Sequence, residues 1–387
     1  MAMEVKLLQP VKVVCTDDLG ETLVDIMQTA GYSRPLMVTD SFVGSMPLVV
    51  AARTKLEQVG VDVAVFDQVK PDPLCETVES GVEAFEAHKA DSIIAIGGGS
   101  SMDVARGINI VRVNGGSILE YTDPAKPIAP CNGMIAVPTT AGTGSEMSNA
   151  LVVTEGSTGR KLAVLADPAV SEYAVLNADL MLTLPAKMTI ACGLDAFCHA
   201  AEGYLSRMAS PVTDAICEKA MFLLYNYLPR AVANGQDREA RERVMVASTL
   251  AGWMLNNAGT IAGHSIAHVL GAKYHIVHGE AVGYALPAVM EFVAPVRAHK
   301  VREIGQILGA VYPENAPDEQ VAIIASRAFK DFRDRMLGLH PVEDYGISVE
   351  ELVSNAQAVV DERFAGNTPR DIDLQAAEQL LEGFGSR

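Results

Sequence analysis

The sequence lacks the features that would place the protein in a membrane or outside the cell. No stretch reaches the roughly 18 to 20 uninterrupted apolar residues that a membrane-spanning helix needs. The N-terminus has no basic segment followed by an apolar one, which is the pattern of a secretory signal. The six cysteines form no CxxC pair and are scattered through apolar segments, as in proteins of a reducing compartment. We therefore expect a cytoplasmic protein without a membrane partner.

Basic residues are also few. The chain has 30 Lys and Arg against 48 Asp and Glu, and a surface with a formal net charge of −18 repels nucleic acid and anionic membranes. Because 49 % of the 387 residues are hydrophobic and only 20 % are charged, a disordered chain is excluded. At about 100 to 200 residues per domain, this length predicts two domains.

Short β-branched runs alternate with helical segments through the first half of the chain. Strands are predicted at residues 11–14, 34–40, 61–66 and 92–96, with helices near 21–30, 47–59 and 74–88. This order predicts a Rossmann-like α/β fold, a doubly wound parallel sheet that binds ligands at the carboxyl ends of its strands. Residues 150–154 and 160–164 flank a glycine-containing turn and predict a β-hairpin inserted in the pattern.

A glycine cluster follows the last of these strands. The buried strand runs directly into Gly97, Gly98 and Gly99, and then into a helix. Glycine leaves out the Cβ atoms that would keep a phosphate from the backbone, and the helix N-terminus offers free N–H groups and a positive dipole end. The segment does not match the GxGxxG fingerprint, and such a turn can also be a tight packing corner. We favour a pyrophosphate site.

Three further features allow both a cofactor role and an ordinary structural one. Asp40, at the end of a predicted strand, suits a ribose and would repel a 2′-phosphate, but it is equally suited to cap the next helix. The small and hydroxyl residues of 138–146 offer donors to a ligand, or form a simple loop. Lys161, on the hairpin, reaches a phosphate or hydroxyl, or is a solvated charge.

Histidine is concentrated in one stretch, since five of the eight histidines lie between residues 184 and 280. Asp195 and His199 are four residues apart in a helical run, and so are His264 and His268, which places each pair on one helix face. The candidate ligands are Asp195, His199, His264, His268, His275 and His278. One carboxylate with several imidazoles, and no cysteine at ligand spacing, suits Fe(II) or Zn(II). A lone histidine is usually an ordinary hydrogen-bonded residue, but this clustering favours a metal site.

The second half of the chain has almost no β-branched runs. Helical periodicity continues to the end, broken by prolines that include Pro229, Pro287 and Pro295. We therefore predict a dinucleotide-binding α/β domain at 1–186 and an all-α metal-binding and substrate domain at 187–387, with the active site in the cleft between them. The last segment, 342–387, is predicted to be a helix pair and is assigned no chemistry.

Four ordered motifs resemble the iron-containing (group III) alcohol dehydrogenase family over nearly the whole chain. They are Gly97-Gly-Gly-Ser-Ser-Met-Asp103, Pro138-Thr-Thr-Ala-Gly-Thr-Gly-Ser-Glu146, Gly193-Leu-Asp-Ala-Phe-Cys-His-Ala-Ala-Glu-Gly-Tyr204, and Gly263-His-Ser-Ile-Ala-His-Val-Leu-Gly271 followed by His278-Gly279. The resemblance implies that a metal is held by Asp195, His199, His264 and His278. It also implies that His268 lies near the substrate and takes part in proton transfer, and it leaves His275 without a role.

The same resemblance implies NAD as cofactor in preference to NADP. The residues expected to contact it are Asp40, Asp72, Gly97, Gly98, Gly99, Ser100, Thr139, Thr140, Ser148 and Lys161. Asp40 matches the position where an acid accompanies NAD preference. Where many relatives have Pro-Asn-Pro, this chain has Pro71-Asp72-Pro73, which keeps a polar contact but adds charge near the cofactor. Cys192 and Cys198 are interpreted as packing residues.

The implied activity is reversible hydride transfer between NAD and a small primary alcohol or diol, with Fe(II), or alternatively Zn(II), as the metal. One alternative is a lyase resembling dehydroquinate synthase, but the stretch that holds the ligands has few Lys and Arg for a substrate phosphate. The other is a nucleotide- and metal-binding module without turnover, which the intact motifs oppose. We expect a homodimer or a larger homo-oligomer. The identity of the alcohol or aldehyde is left open.

Overall fold

The computed structural model describes residues 6–386. Residues 1–5, on which the expectation about export partly rests, and Arg387 lie outside the described residues. The chain forms two compact units, one of residues 8–140 and 144–182, the other of residues 183–386 together with residues 6–7 and Ala141–Thr143. The roles assigned to the two predicted domains, and the cleft between them, stay predictions.

The first unit is built on a parallel sheet. Its strands, in chain order, are β1 (Lys12–Cys15), β2 (Pro35–Val38), β3 (Ala64–Phe66), β4 (Ser92–Gly97), β5 (Met134–Pro138), β6 (Ala150–Thr154), β7 (Lys161–Leu165) and β8 (Tyr173–Leu176). Six of them form one sheet in the order β1-β8-β5-β4-β2-β3 with every neighbouring pair parallel, and β6 and β7 form a separate antiparallel hairpin. The predicted fold class is thereby confirmed.

Helices cover the sheet, so its central strands are buried on both faces. The helices are α1 (Leu19–Ala30), α2 (Ser41–Gly44), α3 (Pro47–Gln58), α4 (Cys75–His88) and α5 (Gly99–Asn114). Along β4, Ile93 and Ala95 belong to one hydrophobic cluster, whereas Ile94 and Ile96 belong to another. Burial of both faces explains why these strands are continuously apolar.

A buried arginine ties the hairpin to this core. Arg106 in α5 has no exposed surface, and its guanidinium donates to the carbonyl oxygens of Ser145 (2.6 Å), Ala150 (2.5 Å) and Ala169 (3.3 Å). The planar guanidinium donates to three backbone acceptors at once, and its fixed fork of donors suits this task better than the ammonium group of a lysine would. The segment that leads from β5 into the hairpin is thereby fixed to α5.

The second unit is helical. Its principal helices are α6 (Ala186–Leu205), α7 (Pro211–Ala233), α8 (Arg238–Asn257), α9 (Ala262–Tyr274), α10 (His278–Ile307) and α11 (Asp318–Lys330). Helix α6 is central, because α7, α8 and α10 all pack against it. Glycines permit the close approach: a Cβ at Gly203 would overlap the Met254 side chain, and a Cβ at Gly279 would overlap the carbonyl oxygen of Ala191.

Several local predictions for this unit are wrong. Pro229 and Pro287 do not end helices but lie inside α7 and α10, and α10 departs from helical geometry only at Arg297, two residues after Pro295. The predicted terminal helix pair is instead a series of short elements: a 3₁₀ turn (Val342–Tyr345), α12 (Val349–Val353), α13 (Ala356–Asp361), a second 3₁₀ turn (Arg363–Asn367) and α14 (Leu374–Glu382). Among residues 6–386, no helix combines the length and apolar character needed to cross a membrane.

The contact between α6 and α10 at Gly279 is testable. We expect Gly279→Ala to lower the free energy of unfolding by about 1–3 kcal/mol, because its Cβ meets backbone, which cannot rotate away. Gly366→Ala is the control, since a Cβ there has no neighbour within 4 Å, and its effect should stay within about 0.5 kcal/mol. Chemical denaturation measures both. Equal midpoints for the two variants would contradict the close approach.

Candidate metal centre and cofactor loop

Three imidazoles converge on one carboxylate oxygen in the helical unit. From Oδ1 of Asp195, the Nε2 atoms of His199, His264 and His278 lie 3.6, 3.8 and 3.5 Å away. Asp195 and His199 project from one face of α6, His264 comes from the first turn of α9, and His278 is the first residue of α10. The structure therefore brings together the four residues that the sequence motifs single out.

Three of the four residues in this cluster are buried, and two of the four facing atoms lack hydrogen-bond partners. Asp195, His199 and His264 are at most 5 % exposed, whereas the His278 side chain is 42 % exposed. Oδ1 of Asp195 and Nε2 of His264 have no hydrogen-bond partner within the described part of the chain. Separations of 3.5 to 3.8 Å are too long for hydrogen bonds, and buried polar atoms are rarely left unpaired. This arrangement of oxygen and nitrogen donors fits a divalent metal ion, with Asp195, His199 and His264 as its tightest group.

The charges in and behind this cluster favour a cation at its centre. Burial lowers the pKa of His264, but the carboxylates of Glu202 and Asp195 outweigh it and raise that pKa to about 10. Burial raises the pKa of Asp195, yet the imidazoles, His199 foremost, hold it well below its ordinary value. Burial lowers the pKa of His199 to about 4. Two buried carboxylates thus stabilise one positive charge, which a proton or a metal ion can supply.

Glu202 supports this cluster from behind. Its Oε1 lies 2.8 Å from Nδ1 of His264, and its Oε2 accepts hydrogen bonds from the backbone N–H groups of Ile261 (2.7 Å) and His264 (3.3 Å). Glu202 lies within the sequence motif that contains Asp195 and His199, but no role was predicted for it. Its position three residues after His199, on the same helix, was the available indication.

His268 lies beside the cluster rather than in it. Its ring stacks on that of His278, with 5.4 Å between centroids, and its side chain is 38 % exposed. Its Nδ1 lies 3.1 Å from Oε1 of Glu362, whose other oxygen accepts a hydrogen bond from Ser265 Oγ at 2.7 Å. Because Glu362 is 94 residues from His268 and lies in the segment assigned no chemistry, the sequence pattern gave no indication of this contact.

His275 has a structural position. Its backbone is left-handed, with φ of 58°, and its N–H caps the C-terminus of α9 on the carbonyl oxygen of Gly271. The side chain is exposed. Within the described chain, the imidazole nitrogens within 4.0 Å of Asp195 belong to His199, His264 and His278, and not to His275.

The glycine loop in the α/β unit leads into a helix start that has no side-chain cap. Gly97 has φ of 156°, and a Cβ there would overlap the Ser101 side chain. Gly98 is the N-cap of α5 and has no side chain. The first N–H groups of this helix therefore receive no hydrogen bond from an N-cap side chain. Such a helix start is a common binding site for phosphate.

Other predicted cofactor residues adjoin this loop. Thr139 donates its N–H to the carbonyl oxygen of Gly97 at 2.9 Å, and the Thr140 side chain lies 3.4 Å from where a Cβ of Gly98 would be. Asp40 caps α2, because its Oδ1 accepts from two N–H groups at 2.9 Å, while its Oδ2 lies 4.0 Å from the position of a Gly97 Cβ. The structural alternative for Asp40 is thus observed, and it leaves one oxygen towards the loop.

The remaining predicted residues contact one another or the backbone. Lys161 Nζ pairs with Asp72 Oδ1 at 2.5 Å, and both side chains are exposed. Ser148 Oγ accepts a hydrogen bond from the N–H of Ala150 at 3.0 Å, where β6 begins.

Comparison with known proteins supports a single assignment. A family model described as iron-containing alcohol dehydrogenase matches residues 10–178, and the model of the C-terminal part of the Fe-containing alcohol dehydrogenase family matches residues 189–384. The chain belongs to the iron-containing alcohol dehydrogenase family.

Full-length relatives of this family are similar in sequence and structure. The chain is 34 % identical to the NAD-dependent methanol dehydrogenase of Bacillus methanolicus, over 92 % of this chain and 93 % of that one. It is 32 % identical to the lactaldehyde reductase of Escherichia coli K12, over 92 % and 94 %. A 1,3-propanediol oxidoreductase structure superposes with a TM-score of 0.91 at 29 % identity, covering 99 % of this chain and 100 % of that chain. A sulfoacetaldehyde reductase of Bifidobacterium kashiwanohense, in complex with NAD⁺, gives 0.88 at 26 % identity, covering all of both chains.

The predicted family and enzyme class are therefore confirmed: this iron-type alcohol dehydrogenase is an NAD-linked oxidoreductase of alcohols or diols. The lyase alternative is not favoured. A divalent metal and NAD are both supported. The roles of individual residues, the cytoplasmic location and the dimer stay predictions.

The glycine loop gives a direct test of the cofactor site. Gly98 has φ of −81°, which alanine also adopts, and a new Cβ would make only an ordinary contact with Thr140. We expect Gly98→Ala to fold normally but to place a methyl group where the phosphate approaches, raising the Kd for NAD roughly tenfold or more, a loss of ~1.4 kcal/mol. Calorimetric titration with NAD measures the effect. An unchanged Kd with an unchanged melting temperature would exclude this loop as the pyrophosphate site.

Proposed function

We propose that this enzyme reversibly oxidises a small primary alcohol or diol to an aldehyde, with NAD as the hydride acceptor and Asp195, His199, His264 and His278 as the ligands of a divalent metal. The observation that carries this proposal is the convergence of three imidazole Nε2 atoms on one buried carboxylate oxygen. A metal bound there supplies Lewis-acid chemistry, which lowers the pKa of an alcohol or polarises a carbonyl.

We propose Fe(II) as the metal, with Zn(II) as the alternative. A donor set of one carboxylate and three imidazoles suits both ions. Burial raises the pKa of the Cys192 thiol to about 12 and raises that of Cys198 well above its ordinary value. Buried cysteines of this kind are usually unreactive, which supports the interpretation of both as packing residues.

His268 is proposed to exchange a proton with the substrate. Its exposed ring stacks on His278, so it lies beside the proposed ligands while still reaching solvent. Glu362 holds its Nδ1, which leaves Nε2 to accept or donate the proton. The neighbouring Phe364, whose ring centroid lies 5.4 Å from that of His268, supplies an apolar surface beside this group.

For the cofactor, we propose that the pyrophosphate binds at Gly97, Gly98, Gly99 and Ser100. Thr139, Thr140 and Ser148 would contribute short polar donors along the same ligand. Asp40 uses one carboxylate oxygen as a helix cap, so the other can accept from a ribose hydroxyl and repel the 2′-phosphate of NADP. Lys161, with its partner Asp72, is assigned to the ribose.

Similar enzymes act on methanol, lactaldehyde and 1,3-propanediol, which supports a small substrate. We therefore propose a short alcohol or diol. We also propose that the enzyme works in the cytoplasm as a homodimer or a larger oligomer, in keeping with its six free cysteines and with the sequence-based expectation.

Activity assays with defined metals test this proposal. Metal-free protein is loaded separately with Fe(II) or Zn(II) and assayed on short alcohols, diols and the matching aldehydes with NAD and with NADP. We expect NADH to form from at least one short primary alcohol or diol, NAD to be preferred, and chelation to abolish turnover. If no NADH formed with either metal across this panel, the alternative of a nucleotide- and metal-binding module without turnover would be favoured.

The role of His268 has its own test. We expect His268→Asn to lower kcat by roughly 10²- to 10⁴-fold, because a general acid–base group is lost, while the bound metal per chain stays unchanged. His275→Asn is the control, since His275 is exposed and asparagine tolerates its left-handed backbone. Metal analysis and steady-state kinetics are both needed. If His268→Asn lost metal as well as turnover, His268 would be a ligand.

A further inference from the structure

Glu202 is a buried carboxylate whose ion-pair partner is the imidazole of His264 and not a Lys or Arg. It has no exposed surface, and no Lys or Arg nitrogen lies within 4.0 Å of its oxygens in the described chain. Burying an ionised carboxylate is costly unless hydrogen bonds or opposite charge compensate it. Its contacts therefore indicate what keeps it in the core.

Those contacts all belong to the start of α9. The N-cap residue of α9 is Ile261, which has no side-chain acceptor of its own, and Glu202 Oε2 accepts from the N–H groups of Ile261 and His264 instead. A carboxylate from α6 thus does the work of an N-cap and meets the positive end of the helix dipole. Glycine is required at 263, because a Cβ there would overlap Oε1 of Glu202.

The second oxygen determines the hydrogen position on His264. A carboxylate only accepts hydrogen bonds, so Nδ1, 2.8 Å from Oε1, carries the hydrogen. In the neutral ring Nε2 is then the lone-pair atom, and it is the atom that faces Asp195 Oδ1 at 3.8 Å without a hydrogen-bond partner. Carboxylates behind metal-bound histidines set tautomer and ring orientation in this way.

We propose that Glu202 is a positioning residue that couples metal affinity to the start of α9: one oxygen selects the metal-binding tautomer of His264, and the other caps the helix that carries it. This inference rests on the metal site of the proposed function. Metal binding then orders the first turn of α9, because the ligand and the cap share one carboxylate.

Glu202→Gln separates the two tasks. The amide keeps the size of the side chain, and its oxygen can still accept from Ile261 N–H. The amide nitrogen then faces Nδ1 of His264 as a donor, which favours the tautomer that carries hydrogen on Nε2. We expect the Kd for Zn(II), measured by titrating metal-free protein, to rise roughly 10- to 100-fold. Circular dichroism should show unchanged helix content.

Glu362→Gln is the matched control. It makes the same substitution at the carboxylate that contacts Nδ1 of His268. His268 lies on α9, one turn after His264. We expect the Kd of Glu362→Gln for Zn(II) to stay within about threefold of the wild type, because Glu362 lies behind no proposed ligand. If both variants weakened Zn(II) binding equally, the cause would be the loss of one negative charge and not the tautomer of His264. That result would overturn the proposal.

A measurement on the wild type keeps the proposal testable if Glu202→Gln does not fold. In Zn(II)-loaded protein with ¹⁵N-labelled histidine, we expect His264 to show a protonated Nδ1 and a metal-bound Nε2. Zn(II) should also slow hydrogen exchange of the amides of Ile261 and His264. An unprotonated Nδ1, or a Glu202→Gln variant that binds Zn(II) like the wild type, would refute the inference. A wild type that binds neither Zn(II) nor Fe(II) would instead refute the metal site itself.

Discussion

The helical unit depends on one constraint: Oδ1 of Asp195 must be approached by imidazoles from three different helices. Asp195 and His199 come from α6, whereas His264 and His278 come from the N-terminal ends of α9 and α10. A few tenths of an ångström matter at these distances, so the helix packing must be close. The glycines of α6 and α10 permit it, because larger residues would force the helices apart.

Two histidines on α9 show how surroundings separate similar side chains. His264 and His268 are one turn apart, and each holds a carboxylate at Nδ1. His264 is 3 % exposed and faces Asp195, whereas the His268 side chain is 38 % exposed and stacks on His278. Both histidines therefore have a carboxylate at Nδ1, but they differ at Nε2. Nε2 of His264 faces the buried carboxylate of Asp195, whereas the His268 ring reaches solvent.

The sequence predicted the parts of this protein that repeat a local pattern. Alternating strands and helices predicted the parallel sheet, because strands buried on both faces are continuously apolar, and the spacing of Asp195 and His199 predicted one helix face. Strand β8 was missed, since it is only four residues long and follows the hairpin without an intervening α-helix, outside the alternating pattern. Pro229 and Pro287 were interpreted as helix breaks, but α7 and α10 continue through them. Glu362 was missed because only the fold brings it to His268, and no local pattern records a contact over that separation.

The ion pair of Asp72 and Lys161 has a consequence for discrimination between cofactors. An exposed pair of this kind contributes only about 0–1 kcal/mol, so Lys161 can exchange its partner for another anion at little cost. While paired, the two side chains together are electrically neutral. In the proposed site, an extra phosphate would find no unbalanced positive charge on this hairpin to attract it. In the proposed site, Asp72 would therefore compete with the additional phosphate of NADP for Lys161 and would lower by up to about 1 kcal/mol what that contact contributes.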